Sequence, residues 1–103
     1  MTLAELYDAL NTRDRGMAGL DRFMQDCRAG IASDQNHAAA YQLLLGVTAR
    51  FYDRYDREPL PLATAQGAKD ALLSLTRQAR DAAQKGADAE LAVLNAIAVA
   101  ELG

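Results

Sequence analysis

The chain has little cysteine and no excess of basic residues. Its 103 residues include a single cysteine, Cys27, so no disulfide can form within the chain and nothing indicates an oxidising compartment. The net charge is −3, which argues against DNA, RNA or anionic lipid as the main partner, because those polyanions are bound by basic surfaces. A DNA-binding regulator is therefore the least favoured of the functions considered.

Long apolar runs and targeting signals are also missing. No segment reaches ~18 uninterrupted apolar residues, so we expect no transmembrane helix. Residues 1–10 carry acids where a secretory signal carries basic residues. We therefore expect a cytoplasmic protein without a membrane partner. An alanine- and arginine-rich composition with only two lysines, Lys69 and Lys85, is typical of a high-GC bacterial genome.

Catalytic motifs are absent as well. The sequence has no glycine-rich phosphate loop, no Gly-x-Ser-x-Gly and no zinc-ligand spacing. The one histidine, His37, excludes the di-iron bundle that requires Glu-x-x-His twice. We expect His37 to pack at a helix end, with Asp34 three residues earlier as the nearest acid in sequence. Cys27 is expected to be a small buried hydrophobe.

What the sequence does contain is helical periodicity. Strand patterns are nearly absent, whereas apolar residues recur at steps of three and four along the chain. The pattern predicts helices over 3–10, 13–31, 34–57, 62–85 and 89–102. Because the connections are short, we expect one all-α domain over residues 1–103, an up-and-down four-helix bundle with a short extra N-terminal helix.

Several residues have the chemistry of helix ends. Thr2 and Glu5 form a T-x-x-E capping box. The other predicted boundary residues are Ser33 or Asp34 as an N-cap, Pro59 and Pro61 around the third connection, Gly86 as a C-cap and Asp88 as an N-cap.

The second predicted helix contains three glycines, and the fourth contains three basic residues on one side. Gly16, Gly19 and Gly30 weaken the second helix by up to ~1 kcal/mol each, so either its first turn frays or a neighbour approaches closely. The basic residues of the fourth helix are expected to form a solvated face: Lys69, Arg77 and Arg80.

The segment FYDRYDREPLPL, residues 51–62, permits two interpretations. In one it is a solvated helix end, self-paired through Asp53 with Arg57 and Arg54 with Glu58 at the i, i+4 spacing. In the other it is a recognition site, because tyrosine and arginine are enriched in interface hot spots. The fifth helix is apolar almost all round, which predicts a further interface there. The candidate interface residues are Tyr52, Arg54, Tyr55, Leu60, Leu62, Val93 and Ile97.

An alternative is a metal-dependent hydrolase bundle using Mg²⁺ or Mn²⁺. Glu5 with Asp8, and Asp53 with Asp56, place carboxylate pairs on single helix faces, although arginines beside the second pair offset its charge. The favoured hypothesis is non-enzymatic and needs no cofactor. It describes an adaptor, chaperone or regulatory subunit that acts through protein–protein contact, as a homodimer or with another protein.

Overall fold

The computed structural model describes residues 1–13 and 16–103. The helices, in chain order, are α1 (Leu3–Thr12), α2 (Met17–Ser33), α3 (Ala38–Tyr55), α4 (Leu62–Ala83) and α5 (Ala87–Ala98), with a 3₁₀ turn at Gln35–His37 before α3. No strand occurs in the described residues, and the all-α prediction is confirmed.

The second and third predicted helices differ from the observed ones at their shared boundary. The second helix was predicted to begin at residue 13, whereas α2 begins at Met17. Residues 14–15 of the predicted range lie outside the described residues. At the other end, α2 continues to Ser33, whose hydroxyl donates to the carbonyl oxygen of Ala29 at 2.9 Å. Ser33 is therefore not an N-cap.

Among the predicted side-chain caps, only the capping box at the start of α1 is present. The Thr2–Glu5 capping box is confirmed, because each side chain accepts a backbone N–H bond from the other residue, at 3.1 and 3.0 Å. The carboxylate of Asp34 does not cap α3, because it accepts a hydrogen bond from the Tyr41 hydroxyl at 2.8 Å instead. Gly86 has a φ of +114°, which favours glycine, and it directly precedes α5, so Asp88 lies inside the first turn.

The helices contact one another in a closed circuit. Along this circuit α1 packs on α4, α4 on α5, α5 on α3, α3 on α2 and α2 back on α1, while α3 also touches α4. The short N-terminal helix is therefore part of the packing, because it lies between α2 and α4. The more detailed description of the fold, an up-and-down four-helix bundle with one added helix, stays a prediction.

The core is formed by side chains from all five helices. Its largest fully buried members include Leu6, Phe23, Tyr41, Leu72 and Ile97. Two buried threonines, Thr48 and Thr76, satisfy their hydroxyls by donating to the carbonyl four residues earlier, each at 2.7 Å. These polar groups therefore lie in the core without an unmade hydrogen bond.

At Gly30, α2 lies against the side chain of Tyr41 from α3. A Cβ atom at this position would overlap the ring of Tyr41, which is fully buried. The glycine thus leaves space for the aromatic ring near the end of α2, whereas the close approach expected from the sequence concerned the first turn of that helix.

Replacing Gly30 by alanine should destabilise the fold. Overpacking against Tyr41 costs about 1–3 kcal/mol, which outweighs the gain of up to ~1 kcal/mol in helix propensity. Gly67→Ala in α4 is the matched control, because a Cβ there meets no atom within 4 Å and should stabilise the fold. Urea unfolding of both variants measures the difference, and a Gly30→Ala variant that is at least as stable as Gly67→Ala would refute the steric role of Gly30.

Lys69 is not on a solvated face. Its side chain is buried, and its ammonium donates to the backbone carbonyl oxygens of Asn11 and Arg13, at the C-terminal end of α1. These carbonyls lack partners within the helix, and a cation is favoured there by the helix dipole. Lys69 therefore joins α4 to the end of α1.

Replacing Lys69 by methionine should lower the free energy of unfolding by about 1.5–3 kcal/mol, because it removes hydrogen bonds from a charged donor and leaves the carbonyls unpaired. Lys85→Met, at an exposed lysine beyond α4, should change it by less than about 0.5 kcal/mol. Thermal and urea unfolding compare the two variants. If Lys69→Met leaves the free energy of unfolding unchanged, Lys69 does not stabilise the contact between α4 and α1.

Candidate protein-interaction surface

The charged end of α3 does not pair with itself. The helix ends at Tyr55, so Arg57 and Glu58 lie beyond the helical geometry that the i, i+4 rule requires. Over residues 50–58, all of which are described, no ion pair joins Asp53 to Arg57 or Arg54 to Glu58. The expected self-pairing of this segment is therefore wrong.

Its arginines instead contact the segment after α5. Arg50 donates to the carbonyl oxygen of Ala100 at 3.4 Å, and Arg54 to that of Gly103 at 3.3 Å. Leu102 is buried in the core beside them, and an open hollow of about 200 Å³ separates α3 from this segment. Arg54, a predicted interface residue, is thus exposed but engaged within the chain.

The tyrosines of the segment are half-buried. The rings of Phe51 and Tyr55 meet with centroids 5.0 Å apart and planes inclined at 45°, and the Arg54 guanidinium lies 5.9 Å from the Tyr55 centroid. Tyr52 also packs against the core with part of its surface. Both tyrosines therefore support α3 while keeping an exposed edge.

Leu60 and Leu62 line one apolar hollow. It is open, has a volume of about 330 Å³, and is completed by Gly16, Met17 and Ala65. Leu62 is 73% exposed, whereas Leu60 is half-buried and packs against the core. The structure thus brings these two predicted residues together, away from the predicted residues of α5.

The two predicted residues of α5 lie on its inner side. Ile97 is fully buried and belongs to the core, so it is not available to a partner, and its assignment to an interface is corrected. Val93 is half-buried and lines a shallow hollow with α4. Both side chains are used to attach α5 to its neighbours.

The opposite side of α5 carries the exposed apolar residues. Leu91 is 58% exposed and Val99, directly after the helix, is 84% exposed. We call this side the α5 outer face, and it consists of Asp88, Leu91, Ala92, Asn95, Ala96 and Val99, all exposed. From Leu91 to Ala100 the sequence contains no charged residue.

Sequence reasoning missed this face although a signal was present. A helix that is apolar all round has no polar side to fix its orientation, so its buried side cannot be read from periodicity. The charge-free run was visible, but only the packing of α5 on α3 and α4 decides that Ile97 points inward.

His37 has a partner that sequence spacing could not identify. Its Nδ1 atom donates to Glu90 Oε1 at 2.6 Å, which joins the start of α3 to the first turn of α5. Nearby, Asp34, His37, Arg80 and Gln84 border an open hollow of about 290 Å³. The Arg80 guanidinium lies 4.7 Å from the Tyr7 ring centroid, so this arginine is partly engaged with α1.

The carboxylates of the metal hypothesis do not assemble. Among residues 1–13 and 16–103, no three His, Cys, Asp or Glu side chains are grouped so that they could hold a metal ion. Glu5 is used in the capping box, and Asp53 and Asp56 lie exposed at the end of α3. The donor geometry therefore does not favour a site formed by Glu5, Asp8, Asp53 and Asp56.

Two buried groups have altered acidity. Burial raises the pKa of the Cys27 thiol well above its usual range, with a smaller contribution from Asp26. Burial also raises the pKa of Tyr41, and its hydrogen bond to Asp34 adds to the effect. Both groups stay protonated at neutral pH, which does not suit a nucleophile.

Comparison with protein-family models, with curated proteins and with solved structures finds no match to this chain. In the part of the chain that the structure describes, no helix is both long and apolar enough to cross a membrane.

Cys27 should resist thiol reagents while the protein is folded. Because it is fully buried and its pKa is raised, little thiolate is present at pH 8. Gln66→Cys, at an exposed position of α4, should react rapidly, and Cys27 should react only after denaturant is added. Mass spectrometry after timed labelling measures this, and rapid labelling of native Cys27 would contradict its packing.

Proposed function

We propose that this protein is a small cytoplasmic adaptor, chaperone or regulatory subunit that acts through helix-to-helix contact and performs no chemistry of its own. The observation that carries the proposal is the α5 outer face, which exposes Leu91 and Val99 and has no charged residue between them. The cytoplasmic location is part of the proposal and rests on the single cysteine.

Leu91 and Val99 are the two large apolar side chains of this face that a partner would bury. Fully burying an aliphatic side chain of this size stabilises by about 1.5–3 kcal/mol relative to leaving it in water. Between them lie Ala92, Asn95 and Ala96, which are short enough to let a second helix approach closely. A partner helix could therefore bury both apolar side chains without first displacing a long charged one.

The face is also presented on an anchored helix. Ile97 fixes α5 in the core, and the His37–Glu90 hydrogen bond holds its first turn against the start of α3. After α5, Arg50 and Arg54 hold the segment Ala100–Gly103. A helix held at both ends loses little conformational entropy when it binds, which favours its use as a docking surface.

The distribution of reactive groups supports contact over catalysis. Cys27 and Tyr41 are buried and protonated, and His37 is engaged with Glu90. No metal-binding group of three side chains occurs within the described ranges. The described residues thus offer apolar surface and no assembled set of nucleophile, base and orienting group.

Native mass spectrometry of gently purified protein tests the proposal. We expect an oligomer or a hetero-complex whose population falls on the order of tenfold in Leu91→Glu and Val99→Glu, because a carboxylate would be buried in an apolar contact. Leu62→Glu is the matched control, since Leu62 is a similarly exposed leucine on a different surface. Melting temperatures should be similar in all three variants.

Two outcomes would contradict the proposal. A bare monomer that keeps its mass in every preparation would show that no partner uses this surface. A complex that is lost in Leu62→Glu but kept in Val99→Glu would move the contact to the apolar hollow beside Leu60, and the α5 outer face would lose its role.

A further inference from the structure

Resting on the proposed function, we infer that the partner of α5 is α5 of a second copy of this chain. The two helices pair antiparallel about a two-fold axis that passes close to Asn95.

The first support is the symmetry of the residue pattern. Leu91 and Val99 each lie four residues from Asn95, one on either side, and all three are exposed on the α5 outer face. An antiparallel two-fold pairing centred on Asn95 places Leu91 of one copy beside Val99 of the other. It thereby forms two equivalent apolar contacts at once, as an isologous interface requires.

Asn95 itself suits the position on the axis. Its amide carries both donors and an acceptor, so it can hydrogen-bond to its own copy across a two-fold axis. A single asparagine in an otherwise apolar helix contact fixes register at some cost in stability. In this pairing, Asn95 of one copy lies opposite Asn95 of the other, so each amide has a hydrogen-bonding partner.

The charges at the two ends of α5 favour the antiparallel orientation. Exposed Asp88 lies one turn before Leu91, whereas Arg50 and Arg54 lie at the opposite end, against the carbonyls of Ala100 and Gly103. Antiparallel pairing keeps the Asp88 carboxylates of the two copies at opposite ends of the contact. Parallel pairing would place Asp88 beside Asp88, and would also align the helix dipoles unfavourably.

The size of the contact predicts its strength. α5 has 12 residues and is therefore about 18 Å long. One such helix pair buries less than the ~800 Å² per partner of a standard stable interface. The dimer should accordingly be concentration-dependent, with rapid exchange between monomer and dimer.

Cysteine cross-linking in the full chain tests the orientation and the register. Buried Cys27 stays in place, and the wild-type protein measures its background. The variants Asn95→Cys, Leu91→Cys, Val99→Cys and the Leu91→Cys/Val99→Cys double variant are oxidised and run on non-reducing gels. Gln66→Cys, at an exposed position of α4, reports random collisions. Melting temperatures confirm folding, and sedimentation of the unmodified protein gives the monomer–dimer equilibrium.

We expect Asn95→Cys and the double variant to form on the order of tenfold more covalent dimer than Gln66→Cys, because pairing raises the effective thiol concentration. Leu91→Cys and Val99→Cys alone should stay near the Gln66→Cys level. Strong cross-linking of Leu91→Cys alone would indicate parallel pairing and overturn the inference.

The remaining outcomes separate this inference from the proposed function. Cross-linking of every variant at the Gln66→Cys level, with a hetero-complex seen in native mass spectra, would overturn self-pairing and keep protein–protein contact. A protein that stays monomeric in sedimentation and without partners in native spectra would overturn both.

Discussion

The contact of Tyr41 with Gly30 is the constraint upon which the rest of the structure depends. The tyrosine ring fills the space that a side chain on Gly30 would need, so α2 and α3 can pack here only with glycine at this position. The hydroxyl of Tyr41 then donates to Asp34 at 2.8 Å and contacts the carbonyl of Met1 at 3.3 Å. One side chain thus joins two helices, the turn between them and the N-terminal segment, and burial in this network raises its pKa.

A second level of organisation comes from polar groups that close helix ends over long sequence separations. Lys69 of α4 satisfies carbonyls after α1, His37 meets Glu90 at the start of α5, and Arg54 reaches Gly103. From the sequence, Lys69 was expected on a solvated face, His37 at a packed helix end and Arg54 at an interface. Their partners lie 49 to 58 residues away, so no local rule connects them.

The position of α5 follows from the closed circuit of helices. With α3 and α4 on one side, this helix can bury only that side, and Ile97 lies there. The side that carries Leu91 and Val99 is left in water, although the sequence is apolar there too. An apolar surface left exposed for this geometric reason is what makes α5 the centre of the functional proposal, because a surface patch of this kind marks a contact site in many soluble proteins.

The sequence by itself determined the helical class, the approximate extents of the helices and the capping box at Thr2. These depend on residues three or four positions apart, and such neighbours interact in any helix. Only the tertiary structure decided which side of α5 is buried, why Lys69 is inside, and which carboxylate His37 meets. Those outcomes depend on helices brought together from distant parts of the chain, and a helix that is apolar on every side contains no information about which of its sides will face inward.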